Sequence, residues 1–309
     1  MLITAAGTGV GWAYALTLKQ QFPDVELITA DTNSIAWCSA AQLARVHVQW
    51  PPFEATDAYV DQLNALIKVQ GVTHYLPIID PEIDFAARRR DDIRANVLTP
   101  SADFTGLALA KDRYARVLAA IDIDSPRSLS RAELALGRRG IAKCPASFGG
   151  RATWHIEKPE QFDSLPANAF VQEALAGPEF TADCFPLGDS EVFVSVRERV
   201  ETKSGVCTKA RIAPHSGMED IAQRLVTSQR ITSPFCFQAM ADGPESMRLA
   251  VTDINPRLGA GTLMSAANGS DFFAAHLAFA FGKPWRELLQ RHHVRCAVTR
   301  QYFELLSPE

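Results

Sequence analysis

The sequence has no large surplus of either charge. Its 31 lysines and arginines stand against 35 aspartates and glutamates, a formal net charge of −4. There is no basic block of the kind a phosphate backbone demands, and the run Arg88-Arg89-Arg90 is followed at once by Asp91 and Asp92, which reads as a solvated helix face. Nucleic acid is not an expected partner. Long apolar runs are missing too: none approaches the ~20 residues of a membrane span. The opening "MLITAAGTG" has no basic segment leading into a longer apolar one, so neither export by that route nor a membrane partner is expected, and a cytoplasmic location is. The six cysteines (Cys38, Cys144, Cys184, Cys207, Cys236, Cys296) form no CxxC pair and have no histidine at ligand spacing. That argues against a zinc site and a disulfide framework and for reduced thiols. No repeat, no low-complexity segment and no Ser/His/Asp or Cys/His nucleophile set stands out.

What is present is enough apolar material for a large core. With 47% hydrophobic and 21% charged residues over 309 positions, the chain divides naturally into two or three subdomains. Leu2 to Ala6 is a short apolar run entering "GTGVG". A helical pattern over Trp12 to Gln20 follows, then a β-rich run from Val25 to Ala30 that ends at Asp31. A helix around Ala58 to Gln70, a strand "VTHYLPII" closing at Asp80, a helix around Ile83 to Ile93 and an extended "NVLTP" continue the alternation, which predicts a parallel sheet. A helical stretch from Ala102 to Ala120 leads to a turn at "IDIDSPRS". Beyond Gly140 the β-runs are "GIAKC", "ATWHIE", "AFVQEAL", "EFTADCFP", "EVFVSVRERVE", "FCFQAM", "LAVTDI" and a last strand "VRCAVTRQYFELL". Helices are expected at Met218 to Ser228 and Asp271 to Phe281.

The chemistry concentrates in a few stretches. In "LAVTDINPRLGAGT" an apolar run ends in polar groups. Strand periodicity puts Asp253 and Asn255 on one face, and Arg257 follows if Pro256 does not turn the chain first. The run "PFCFQAM" is joined to it by "ADGPES", a hairpin-type connection that brings Gln238 onto the neighbouring strand. Three oxygen donors of this kind suit a hard ion such as Mg²⁺ that shares its coordination with phosphates, and an arginine beside them suits phosphate charge. In "GIAKCPASFGGRAT", Lys143 ends an apolar run ahead of a small-residue loop with Gly149 and Gly150, where backbone N–H groups can approach phosphate oxygens. This is not a Walker loop, which needs GK[ST] entering a helix. In "FVQEALAGPEFTADCF", Glu179 stands at a Gly-Pro linker between β-runs, a place from which an acid accepts ribose hydroxyls while the linker backbone pairs with an adenine edge. In "VRERVETKSGVCTKARI", Arg199 and Lys209 lie along a hairpin, where basic residues are ordinarily solvated. Asp80 and Glu82 follow a parallel strand, where such sheets open ligand crevices, and either can take an ammonium group.

In order, "ALAKDRYARVLAAIDIDSPRS", "AKCPASFGGRA", "GPEFTADCF" and "TDINPRLGAGT" resemble four segments of the ATP-grasp superfamily. The branch is the one similar to the ATP-binding halves of carbamoyl-phosphate synthase and to stand-alone carboxylate–amine ligases. The resemblance runs over nearly the whole chain. It implies a mixed α/β and α+β architecture: a Rossmann-like preliminary domain over residues 1–100, a small lid subdomain with its connecting helix over 101–175, and a catalytic subdomain over 176–309. It implies ATP with Mg²⁺, Mn²⁺ being an alternative, small-molecule carboxylate and amine substrates, and an acylphosphate intermediate; a homodimer is compatible with it. By this resemblance Lys111 and Lys143 contact nucleotide phosphates and the loop of Gly149 and Gly150 covers them. Glu173, Ala174 and Leu175 form the adenine hinge with Gln172 beside them, and Glu179 holds the ribose. Gln238, Asp253 and Asn255 ligate Mg²⁺, Arg257 stabilises the transferred phosphoryl group, and Arg199 and Lys209 approach the substrate. The sequence departs from the family pattern at Asp253, where a glutamate is usual, and at Cys144, Ala152 and Ala260.

Three other readings are open. Gly7, Gly9 and Gly11 after the first strand suggest a nicotinamide enzyme, but Trp12 occupies the third glycine of G-x-G-x-x-G, which disfavours it. A non-catalytic ATP-binding sensor is another, and phosphorylation of carbamate or bicarbonate a third, which the single ATP-grasp unit does not favour.

Overall fold

The computed structural model describes residues 1–111, 113–144, 153–203, 205–243, 246, 248–291, 295–302 and 304–306, with Tyr114 described by its backbone alone. Its first layer contains β1 (Leu2–Thr4), α1 (Gly9–Gln21), β2 (Ile28–Asp31), β3 (Val46–Gln49), α2 (Asp57–Gln70), β4 (His74–Leu76), α3 (Asp80–Arg88) and β5 (Asn96–Val97). The five strands are parallel in the order β3-β2-β1-β4-β5. Strand alternation divides the core between the two faces: Leu2, Ile28 and Tyr75 pack with α2, while Ile3 and Leu76 pack with α1. The hydroxyl of Thr8 caps α1 by accepting from Gly11 N, and Thr56 caps α2 by accepting from Tyr59 N. Gly11 has to be glycine, because a Cβ there would lie 2.6 Å from the Ala6 carbonyl oxygen.

α4 (Ala102–Leu109), α5 (Tyr114–Ala119) and α6 (Arg131–Ala135) lead into β6 (Gly140–Lys143), β7 (Thr153–Ile156), α7 (Pro159–Phe162) and β8 (Phe170–Glu173). These three strands form a small antiparallel sheet ordered β7-β6-β8, with its own core of Leu129, Leu134, Ala142, Ile156 and Val171. Phe104, Ala108 and Leu118 are buried instead in the core of the large sheet that follows.

That sheet is antiparallel and runs β13-β12-β9-β10-β11-β14. Its elements are β9 (Glu179–Gly188), β10 (Glu191–Lys203), β11 (Val206–Ile212), α8 (Ser216–Gln229), β12 (Phe235–Ala241), β13 (Leu249–Asn255), α9 (Leu263–Ala267), α10 (Phe272–Ala280) and β14 (Cys296–Thr299). Helix α8 covers one face. On the other, α10 brings Phe272, Phe273 and Leu277 against Ala13, Tyr14 and Leu18 of α1, so the parallel layer and the large sheet share one core. No helix among the described residues is long and apolar enough to cross a membrane.

The mixed α/β architecture with an N-terminal parallel sheet is as expected, and several details differ. The helix expected over Ala102 to Ala120 is broken: α4 stops at Leu109 and α5 starts at Tyr114. The break lets Lys111 leave the helical path and pair with Asp253 on the large sheet, a tertiary contact overriding local propensity. The strand read as "VTHYLPII" ends at Leu76, and α3 begins at Asp80 with Pro81 in its first turn, earlier than the pattern suggested. Strand β3, an edge strand with three half-buried residues and an exposed Gln49, alternates apolar and polar residues over only four positions and escaped the sequence reading. The last strand covers Cys296–Thr299 among the described residues, where a longer run was expected.

Candidate functional site

The three sheets meet around a cavity of about 920 Å³. Its floor is the β12–β13 hairpin. The antiparallel register sets Gln238 directly opposite Asp253, so both side chains lie on one face, as Asn255 does two residues on. The Asn255 amide donates to the Asp253 carboxylate (3.3 Å), and a register shift between Gln238 and Ala239 marks a bulge beside the pair. Bulges of this kind re-aim side chains at strand ends, which is what sets this polar corner apart from the apolar Val251 and Phe237 behind it.

Two lysines reach this corner from different elements. Lys111 Nζ lies 2.8 Å from Asp253 Oδ1, and Lys143 Nζ, at the end of β6, donates to the Thr252 carbonyl at 3.1 Å. Lys143 therefore ties the small sheet to the large one. Burial pushes its ammonium below the ordinary lysine value, with Lys111 adding to this and Asp253 opposing it. Glu179, at the start of β9, is paired with Arg199 Nε at 3.2 Å, yet burial still raises its carboxyl above the usual range. Arg257 closes the far end. Its Nε and Nη2 donate to the two oxygens of Asp80, at 2.7 and 3.3 Å, across the boundary with the parallel layer. Burial opposes its charge, but Asp80, Cys236 and Asp253 together outweigh burial and raise its pKa.

The hinge between the small and large sheets forms another wall. Arg248 donates to the Glu173 carboxylate through both terminal nitrogens (3.2 Å each), and the Arg127 backbone N–H donates to it at 3.1 Å. The side chain of Glu173 is therefore a tether. Ala174 N already donates to Arg139 O at 3.0 Å, which fixes the turn without engaging Leu175.

Of the candidates read from the sequence, Lys111, Lys143, Gln172, Glu173, Ala174, Leu175, Glu179, Arg199, Gln238, Asp253, Asn255 and Arg257 all line the cavity. Gly149 and Gly150 lie outside the described residues. Lys209 does not line it: its register on β11 turns it to Glu201 at 2.9 Å, with its side chain 53% exposed. Glu82 is corrected too. It faces the interior of the parallel layer, where the hydroxyls of Tyr59 and Tyr75 donate to it, the latter at 2.6 Å. Asp80 does reach the cavity, though its carboxylate is engaged by Arg257 and not free for an ammonium group. The glycine loop gives no support to a nicotinamide site, because Asp31 accepts from Gly7 N at 2.7 Å and from Asn33 and so serves as a loop clamp.

Sequence reasoning missed some of the lining. Thr153, His155 and Glu157 face the cavity at alternate positions along and just past β7, a period-two signal that was available. Arg197 is also in the wall. It is buried in an ion pair with Asp183 that Thr262 and Ser265 reinforce at 2.8 and 2.7 Å. This cluster anchors the Ala260–Thr262 turn, and a Cβ on Gly261 would lie 3.1 Å from the Arg197 guanidinium.

The donor set fits a hard divalent ion. Gln238, Asp253 and Asn255 offer oxygens on one face, and the Lys111 ammonium already sits on Asp253 as a stand-in positive charge. Among the described residues no group of three or more His, Cys, Asp or Glu could hold a metal alone. Such an ion would therefore complete its shell from phosphate and water, which is the habit of Mg²⁺.

The fold is that of ATP-grasp enzymes, and an ATP-grasp family model matches part of the chain. Residues 166–301 match the family described as "ATP-grasp in the biosynthetic pathway with Ter operon". The biotin carboxylase of Campylobacter jejuni, solved as a β,γ-ATP complex, superposes with a TM-score of 0.73 at 13% identity over 94% of this chain and 73% of its own. The N5-carboxyaminoimidazole synthetase of Staphylococcus aureus, complexed with ADP, gives 0.72 at 13% identity over 92% and 77%. The biotin carboxylase domain dimer of Hydrogenobacter thermophilus 2-oxoglutarate carboxylase, with MgADP, ADP and bicarbonate, gives 0.74 at 13% over 94% and 72%. No curated protein sequence matches the chain.

Proposed function

We propose that the chain is an ATP-dependent ligase that phosphorylates a small carboxylate with Mg-ATP and couples the acylphosphate to an amine. The observation that carries this reading is the convergence, in one cavity, of a three-oxygen face (Gln238, Asp253, Asn255) with Lys111, Lys143 and Arg257. That is the inventory a phosphoryl transfer needs, since the reaction depends on positioning and charge neutralisation more than on covalent chemistry by the protein.

On this reading residues 1–100, 101–175 and 176–309 act as preliminary domain, lid and catalytic subdomain. The hinge backbone at Ala174 and Leu175 receives the base, Gln172 borders it, and Glu179 accepts from the ribose. Lys111 and Lys143 hold the phosphates, and nucleotide binding relieves the crowding of their positive charges noted above. Gln238, Asp253 and Asn255 hold Mg²⁺, which when bound neutralises phosphate charge. Arg257 steadies the phosphoryl group as a substrate carboxylate oxygen bonds to γ-phosphorus and the bond to ADP breaks. The amine then attacks the acyl carbon, phosphate leaves, and the amine's proton is lost to solvent. Arg199, on the wall beside Glu179, faces the substrate end. The three similar proteins named above all carry carboxylase or carboxy in their names, so bicarbonate belongs among the carboxylates to be tried on this chain.

The test is ADP release from Mg-ATP in the presence of pooled small carboxylic acids, bicarbonate and amino acids. Release that requires one acid and one amine supports the ligase. ATP binding with no dependence on any pool overturns it in favour of a nucleotide sensor.

A further inference from the structure

Arg257 is reached from the parallel layer by a residue 177 positions away in sequence. From this contact we infer that Asp80 is a positioning residue for phosphoryl transfer, aiming the Arg257 guanidinium at the transferring group. The inference rests on the ligase reading and extends it, because it makes the N-terminal layer part of the transfer machinery.

The geometry is a fork held on one side. Asp80 accepts from Nε and Nη2, and the Leu258 carbonyl accepts from Nη1 at 3.3 Å. A guanidinium has five N–H donors in a fixed plane, so three engaged donors define the direction of the other two. Those two remain for a ligand in the cavity that Arg257 lines. Asp80 is itself held. It opens α3 next to Pro81, and its backbone neighbours Ile78 and Ile79 border the same cavity. The cost of the arrangement is charge, since a carboxylate beside the arginine reduces its pull on phosphate. A site built for field strength alone would leave the arginine unpaired. Pairing it gives up field for orientation, and orientation matters most in the transition state.

The two roles predict opposite signs. If Asp80 merely neutralises Arg257, Asp80→Asn tightens every phosphate ligand. If it positions the fork, Asp80→Asn leaves Mg-ADP affinity within about twofold and loses the additional affinity for a phosphoryl-transfer mimic. The experiment is calorimetric titration of the full chain with Mg-ADP, with and without aluminium fluoride. We expect aluminium fluoride to tighten Mg-ADP on the wild type and Asp80→Asn to remove about 10- to 100-fold of that tightening, the usual effect of losing an orienting partner. Arg257→Lys should lose it as well, and Asp80→Asn should add nothing on that background, because one residue acts through the other. Full tightening in Asp80→Asn, or losses that add in the double variant, overturns the inference. Asp80→Glu, which keeps a negative charge opposite the arginine, carries the same measurement if the asparagine variant does not fold, and should show an intermediate loss. Wild type that binds Mg-ADP without any fluoride-dependent tightening removes the transfer role of Arg257 and this inference with it. Failure of wild type to bind Mg-ADP overturns the nucleotide reading itself.

Discussion

Replacing Lys143 by methionine separates binding from folding sharply. The lysine spans the two antiparallel sheets through one hydrogen bond to Thr252 O, and burial already penalises its charge in the free protein. Methionine keeps most of the apolar stem and removes the buried charge, so the lost hydrogen bond and the relieved desolvation offset one another, and free-protein stability should change by less than about 1 kcal/mol. The sign with pH supports this. A lysine whose folded value is depressed costs stability while the fold holds it charged, and stability rises as pH climbs from the folded value toward the unfolded one near 10.5. That rise should be absent in the variant. Nucleotide binding behaves differently, because removing one partner of a buried charge pair costs about 2–5 kcal/mol. A loss of about 2.7 kcal/mol weakens binding roughly 100-fold. At ATP 100 times the wild-type Kd, ligand stabilises the wild type by about 2.7 kcal/mol and the variant by only about 0.4. At roughly 2 °C per kcal/mol for a chain of this size, the melting shift falls from about 5 °C to under 1 °C. The assay is a thermal scan with and without Mg-ATP, alongside direct titration. A variant that keeps the full ATP-dependent shift would refute the phosphate role of Lys143.

Other substitutions test separate parts of the account. Asp253→Asn should weaken the Mg²⁺-dependent part of ATP binding by about tenfold or more, read from magnesium titrations at fixed nucleotide, and an unchanged midpoint would exclude the β12–β13 corner as the metal wall. Lys209→Ala should leave nucleotide affinity unchanged and stability within about 1 kcal/mol, since its partner is Glu201 on an exposed hairpin; a loss of affinity would mean that the hairpin folds over the site. Glu82 is buried, and burial raises its carboxyl above the ordinary 4.5, although the Tyr59, Tyr75 and Thr4 hydroxyls oppose this. Its favourable contribution is therefore complete below about pH 4.5 and is lost as pH rises through the raised folded value. Glu82→Gln should flatten that limb of the stability–pH profile, and an unaltered profile would show that Glu82 does not titrate there.

Much of this architecture was legible because it depends on periodicity and punctuation. The run "LAVTDIN" announces a strand whose apolar residues go inward and whose Asp253 and Asn255 share a face, and the Gly/Pro connection before it announces the hairpin that brings in Gln238. The break at Lys111 was not legible, because it is decided by a partner 142 residues away. Nor was the burial of Arg197: a single sequence gives no sign that Asp183, Ser265 and Thr262 will gather around it. Lys209 illustrates the converse. In "VRERVETKSGVCTKARI" it resembles Arg199 in chemistry, and only the pairing of Arg199 with Ala210, the neighbour of Lys209 on β11, separates the residue that faces the cavity from the one that faces solvent. The fold is thus written in local pattern, while the pairing of charges is a property of tertiary register.

The central claim is that a carboxylate oxygen attacks γ-phosphorus. It is tested most directly by following ¹⁸O from a labelled carboxylate, under conditions where ADP release requires both acid and amine. If an acylphosphate forms, the released phosphate carries one ¹⁸O per ADP produced. Phosphate without the label, at full acid- and amine-dependent turnover, would contradict the account.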